Sequence, residues 1–149
     1  MIKDVIENED YKDLVSSQIK DTIKFLIGKN EEFAITANIK GITFTPELPT
    51  AIYDQLSAFS LFILANYTYT TLDLDDEYIY FEAGFGKENF GSLVKIPYNA
   101  IFQIIVDESI LFVNSTATVQ DFFSQKEQDN KSLNAFKKNP NNQSLISDE

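Results

Sequence analysis

The sequence predicts a mainly β domain with an N-terminal α-helix: a small, partly open barrel followed by a disordered C-terminal tail. Three observations lead there. Apolar residues recur at three- and four-residue steps up to Gly28, then at every second position from Phe33. Short runs rich in β-branched and aromatic residues follow, separated by turns that contain Gly or Pro. Beyond about Thr118 this patterning stops. A chain of 149 residues suits one domain with a real core.

Residues 1–9 read as a flexible N-terminus. Asp10 to Gly28 reads as a helix, with Leu14, Val15, Ile19, Ile23, Leu26 and Ile27 on one face and Tyr11 extending it. Asp10 is the expected N-cap, and Gly28 is expected to end the helix in the left-handed conformation. The apolar face packs either on its own domain or on a second copy. Phe33, Ile35, Ala37 and Ile39 then alternate with polar residues as a half-buried strand. Lys40-Gly41 breaks it. Pro46 and Pro49 forbid a central strand over Thr43 to Pro49, and leave Phe44 as a core plug or a ligand contact.

Ala51 to Ala58 reads as a short helix or a loop. Leu61 to Leu74 reads as one long strand, since β-branched and aromatic residues dominate it. Asp75-Asp76-Glu77 turns the chain into a strand from Tyr78 to Phe85. Gly86 to Gly91 reads as a loop, and Ser92 to Ile96 as the next strand. Pro97 to Ala100 suits a helical turn with Pro at its first position. Ile101 to Val106, strand or short helix, and Ile110 to Val113 complete the barrel. The domain spans 10–118, with the barrel over 33–114. Residues 119–149 are too rich in Gln, Asn, Ser and Lys to offset their ordering entropy by burial, and read as a disordered tail.

Composition narrows the chemistry. The chain has no Cys and no His, which removes thiol nucleophiles, Ser-His-Asp triads and zinc sites built on those residues. All twelve basic residues are Lys, so no guanidinium is present to clamp a phosphate in two-toothed fashion. A net charge of −11 repels nucleic-acid backbones and anionic membranes, so neither is an expected partner. The acidic N-terminal residues do not resemble a signal peptide, and Ala58 to Ala65, the longest apolar run, is too short to span a bilayer. The lack of Cys suits a reducing cytoplasm, the expected location.

Asp73, Asp75, Asp76 and Glu77 form the densest acidic cluster. They lack the spacing and the Gly of a calcium loop, so a solvated hairpin turn is the expected role and no metal or other cofactor is expected. Gly84-Phe85-Gly86 lacks the spacing of a phosphate loop. Small residues there either kink a barrel corner or admit an extended peptide alongside. Tyr67, Tyr69, Tyr78 and Tyr80 fit cross-strand packing better than a stacking ladder for single strands.

The order and spacing of several segments resemble the SspB family of ClpXP protease adaptors, especially its alphaproteobacterial branch. Asp10-Tyr11-Lys12-Asp13-Leu14-Val15 is similar to the start of that family's first helix. Phe33-Ala34-Ile35-Thr36, Gly41-Ile42 and Pro46-Glu47-Leu48 are similar to its first strand and Pro-containing loop. Leu72-Asp73-Leu74, Phe81-Glu82-Ala83-Gly84-Phe85-Gly86, Ile96-Pro97-Tyr98-Asn99-Ala100-Ile101 and Val106-Asp107 are similar to its hairpin and following strand. The likeness runs from about Asp10 to Asn114.

The resemblance implies a non-enzymatic homodimer with a barrel related to Sm and SH3-like folds. It implies a groove for ssrA-tagged polypeptides at Phe44, Pro46, Ala83, Phe85, Gly86, Ile105 and Val106. It implies a dimer contact through the helix, at Leu14, Ile19, Ile23 and Leu26. It also implies docking on the ClpX unfoldase by Leu145 and Ile146, although Asp148 and Glu149 stand where a basic residue is usual. The loop from Lys87 to Gly91 departs in length from the family pattern. Two other readings remain: a small acidic dimeric secretion-type chaperone for extended peptides, and a hydrolase built on a carboxylate pair.

Overall fold

The structure is a computed structural model that describes residues 1–118. The expected tail at 119–149, with Leu145 and Ile146, lies outside the described residues. Among the described residues no helix is long and apolar enough to cross a membrane.

Two helices open the chain. Helix α1 (Ile2–Ile6) occupies part of the segment expected to be flexible. Helix α2 (Glu9–Gly28) begins two residues earlier than its polar pattern suggests, because the Asn8 side chain accepts a hydrogen bond from the Tyr11 N–H at 3.0 Å. Asn8 is therefore the N-cap, and Asp10 lies inside the first turn. At the other end Asn30, at φ 56°, takes the left-handed conformation expected of Gly28. Asn tolerates that region through its short polar side chain, while Lys29, Asn30 and Glu31 N–H groups close the last carbonyls.

Val15, Ile19, Ile23 and Leu26 are buried in steps of four, four and three. Their face packs on the tight turn Tyr98–Ala100. Ile19 and Ile23 are 0% exposed within the single chain. Of the four residues expected at a dimer contact, only Leu14, at 53%, keeps exposed surface to offer.

Among the described residues eight strands build two four-stranded antiparallel sheets rather than a closed barrel. The first contains β1 (Phe33–Asn38), β3 (Phe59–Leu64), β7 (Ile101–Val106) and β8 (Ser109–Val113), in the order β3-β1-β7-β8. The second contains β2 (Thr43–Thr45), β4 (Asp73–Leu74), β5 (Tyr78–Phe85) and β6 (Phe90–Pro97), in the order β2-β6-β5-β4. Their inner faces carry Ile35, Leu64 and Ile104 from one side and Ile79, Phe81, Val94 and Ile96 from the other, all 0% exposed. Each such side chain contributes about 1.5–3 kcal/mol over an exposed one.

The long strand expected over Leu61 to Leu74 is not present. β3 stops at Leu64, a helical turn α4 (Asn66–Thr70) intervenes, and β4 adds two residues. The reason is topological: β3 belongs to the first sheet and β4 to the second, so the chain must change direction between them. Asn66, at φ 54°, makes that change, and its N–H donates to Glu32 Oε2 at 2.9 Å. The Thr70 and Thr71 hydroxyls donate to the carbonyls of Tyr67 and Thr68, drawing a β-prone sequence into a turn. Ala51 to Ala58 resolves into α3 (Thr50–Tyr53) and a loop.

Candidate functional site

The hairpin of β5 and β6 organises the outer surface of the second sheet. Its register sets Glu82 opposite Leu93, Ala83 opposite Ser92, Gly84 opposite Gly91 and Phe85 opposite Phe90. Strand alternation sends Phe81, Ser92 and Val94 inward, and Glu82, Gly84, Gly91 and Leu93 outward. Two glycines thus lie side by side on the outer face. At this pair the sheet carries no side chain of its own, and the backbone is bare at Gly91. The Asn89 side chain occupies the space a Cβ on Gly84 would need, whereas a Cβ on Gly91 would meet nothing within 4 Å.

This glycine pair floors an open groove of about 580 Å³. Thr45 and Pro46 border it on one side and Tyr67 and Thr68 on the other, with Leu93 between. The Ser92 hydroxyl donates to the Pro46 carbonyl at 2.9 Å and fixes the Pro-containing loop to the sheet. Across the groove, the Tyr67 hydroxyl donates to Glu82 Oε1 at 2.7 Å. That bond holds Tyr67 in its phenol form and raises its pKa, and the Glu82 charge adds to the effect. Among the described residues Glu82 is the only charged one lining the groove.

The groove meets a free strand edge. Asp75 N–H donates to the Tyr78 carbonyl, and Glu82 N–H donates to Thr71 Oγ1 at 2.9 Å. Both bonds lie on the side of β5 away from β6. In an antiparallel ladder alternate residues send both backbone groups to one side, so Gly84 shares that direction. β4 pairs only with Ile79 and Tyr80, so on the side away from β6 no strand borders β5 from Phe81 onward among the described residues. A second chain can satisfy the Gly84 N–H and carbonyl by adding as a strand.

The expected groove residues divide into four groups. Pro46 and Ala83 line the groove, Ala83 half-buried. Phe44 and Phe85 do not line it. They support it from beneath as an edge-to-face pair at 5.6 Å, continued by Phe62 and Phe81. Phe44 is 7% exposed and sits mainly in the core; its remaining surface faces a separate hollow of about 390 Å³ beside Leu48 and Tyr53. Gly86, at φ 75°, starts the hairpin loop, which closes through Asn89 N–H to the Gly86 carbonyl at 3.1 Å. Ile105 and Val106 belong to β7 in the other sheet, and so do not join the groove. Sequence reasoning did not assign Gly91, Leu93, Tyr67 or Glu82. The spacing of Gly84 and Gly91 about a hairpin turn is the signal that pairs them.

The acidic turn has a structural role. Asp75 Oδ1 accepts from the N–H groups of Glu77 and Tyr78 at 2.8 and 2.7 Å, and Asp75 Oδ2 accepts from Tyr80 Oη at 2.6 Å. The Tyr80 bond and then the two backbone bonds hold the Asp75 carboxyl below its ordinary range. The same bond pushes the Tyr80 phenol up to about 12. Among the described residues no group of three acids is gathered as a metal site.

No protein-family model matches the chain, and no curated protein matches it.

Proposed function

We propose that this chain is a proteolysis adaptor that holds an ssrA-type degradation tag in the groove over Gly84 and Gly91 and delivers the tagged protein to the ClpX unfoldase. The observation that carries the reading is the open edge of β5 at Gly84, beside a groove whose floor is bare backbone at Gly91. An extended peptide gains main-chain hydrogen bonds from such an edge and side-chain selection from the adjoining walls. The order and spacing of the segments that resemble SspB-like adaptors support the same reading. The adaptor works in the cytoplasm as a homodimer and performs no chemistry on the tag.

Delivery is assigned to Leu145 and Ile146, which dock on the unfoldase. A weak contact suffices there, because tethering raises the effective concentration of the tagged substrate. The test pairs two assays on the full chain. A fluorescent ssrA-type peptide should bind saturably, and Ala83→Gln should weaken that binding. The double substitution Leu145→Glu, Ile146→Glu should leave peptide affinity intact while slowing degradation of a tagged reporter by ClpXP. Absence of peptide binding by the wild-type chain rejects the adaptor function outright.

A further inference from the structure

One carboxylate stands in the groove without a counter-charge. Glu82 Oε1 accepts from the Tyr67 hydroxyl at 2.7 Å, while Oε2 has no partner and Glu82 joins no ion pair among the described residues. Its cross-strand neighbour on β6 is Leu93, which offers no hydrogen bond. The lysine next along that outer row is Lys95, opposite Tyr80. Its ammonium lies 4.2 Å from the Tyr78 ring centroid, at the other end of the hairpin. The sheet's own cation is thus engaged elsewhere, and the charge that balances Glu82 must come from what the groove holds.

Strand geometry says where that charge sits. Glu82 and Gly84 are two residues apart on β5 and point to the same face. A peptide strand added at the Gly84 edge turns every second side chain to that face as well. The side chain set opposite Gly84 then has Glu82 as its diagonal neighbour at roughly 7–8 Å, within reach of a long side chain.

We propose that Glu82 is a specificity-determining residue, and that the groove selects tags carrying a basic residue, Lys or Arg, beside it. The Tyr67 bond fixes the orientation of the carboxylate before the tag arrives, so less side-chain freedom is lost on pairing. An acidic tag residue at the same place meets repulsion, and the Tyr67 hydroxyl that could have donated to it is already engaged. The pair is solvent-exposed, so its contribution is modest.

This inference deepens the tag-binding reading and rests on it, since it names which tags the groove prefers. Fluorescent peptides of one ssrA-type sequence, with Lys, Gln or Glu at a single position, are titrated into the full chain, and that position is moved one residue at a time. At one position Lys should bind about two- to fivefold more tightly than Gln, the range of an exposed ion pair. Glu there should bind more weakly than Gln. The immediate neighbours of that position face away and should show no such order. Added salt should shrink the difference. Glu82→Gln should erase it. Asp21→Asn, which removes the same charge from an exposed position on α2 outside the groove, should keep it. A Lys preference equal at every position reflects only the net charge of −11 and overturns the inference. So does equal affinity for the Lys and Gln peptides throughout, or a preference that survives Glu82→Gln. Each of these leaves tag binding standing, whereas a chain that binds none of the peptides rejects the adaptor reading and this inference with it.

Discussion

The two sheets share one core and present opposite outer faces. The second sheet shows backbone and charge: paired glycines at Gly84 and Gly91, the Glu82 carboxylate, and the Lys95 ammonium 4.2 Å from the Tyr78 ring centroid. The first shows neither glycine nor charge, only aliphatic rows about a Thr–Gln pair. The inner faces are alike in chemistry, with Phe33, Ile35, Phe62, Leu64 and Ile104 on one and Phe44, Ile79, Phe81, Val94 and Ile96 on the other. Burial alone therefore builds the fold, and the outward positions of the same strands carry what distinguishes one sheet from the other. A face with an open edge and a backbone bare at Gly91 suits an extended chain.

The strongest way to break this contrast is to remove what the two faces share. Phe81→Ala empties a site that is 0% exposed between the sheets, and should cost about 3–5 kcal/mol in chemical denaturation. Tag binding should then weaken as well. Unchanged tag affinity in the destabilised protein would show that the groove does not depend on the shared core.

Next in size is a substitution that fills one face only. Gly91→Leu points into the groove where a new Cβ meets nothing within 4 Å, so the melting temperature should barely move. Tag affinity should fall at least tenfold, about 1.4 kcal/mol. Thr36→Leu, its counterpart at the centre of the other face, should leave tag affinity alone.

Tyr67→Phe sharpens the groove wall. It removes the hydrogen bond to Glu82 while keeping the ring, and should cost tag affinity about 0.5–1.5 kcal/mol if that bond positions the wall. Equal affinity in the two forms would leave the bond a role only in tying α4 to β5.

The smallest effect lies at the acidic turn. Tyr80 titrates near 12 in the fold against 10.0 ordinarily, so its bond to Asp75 stabilises the fold below about pH 10 and that contribution fades as pH rises through 12. Asp75 has the opposite sign: its lowered pKa gives stability above the ordinary carboxylate value that is lost as pH falls through the folded one. Tyr80→Phe should flatten the alkaline limb of a stability–pH curve. It should leave tag affinity unchanged.

Much of this arrangement is legible in the residues. The change of hydrophobic period at Phe33, the prolines after Phe44 and the hairpin around Gly86 all stand where the sequence puts them. What it hides are changes that depend on partners distant in the chain. Asn66 breaks a β-prone run only because β3 and β4 belong to different sheets. Phe85 reads as a pocket wall and Phe44 as a core plug or a ligand contact, and both lie beneath the groove as its support, since an aromatic in a strand has the same sequence signature on either face. Ile105 shares its apolar character with groove residues, but its register places it on the far sheet. Pro46 and Ala83 are found at the groove because a proline loop and a small strand residue have few other uses at those positions.

The central claim is that the glycine-floored groove holds a degradation tag. Titration of a fluorescent ssrA-type peptide into the full chain and into Gly91→Leu tests it most directly. Saturable binding by the wild type, at least tenfold weaker in a Gly91→Leu protein of unchanged stability, is the expected result. No binding by the wild type, or equal binding by both, contradicts it.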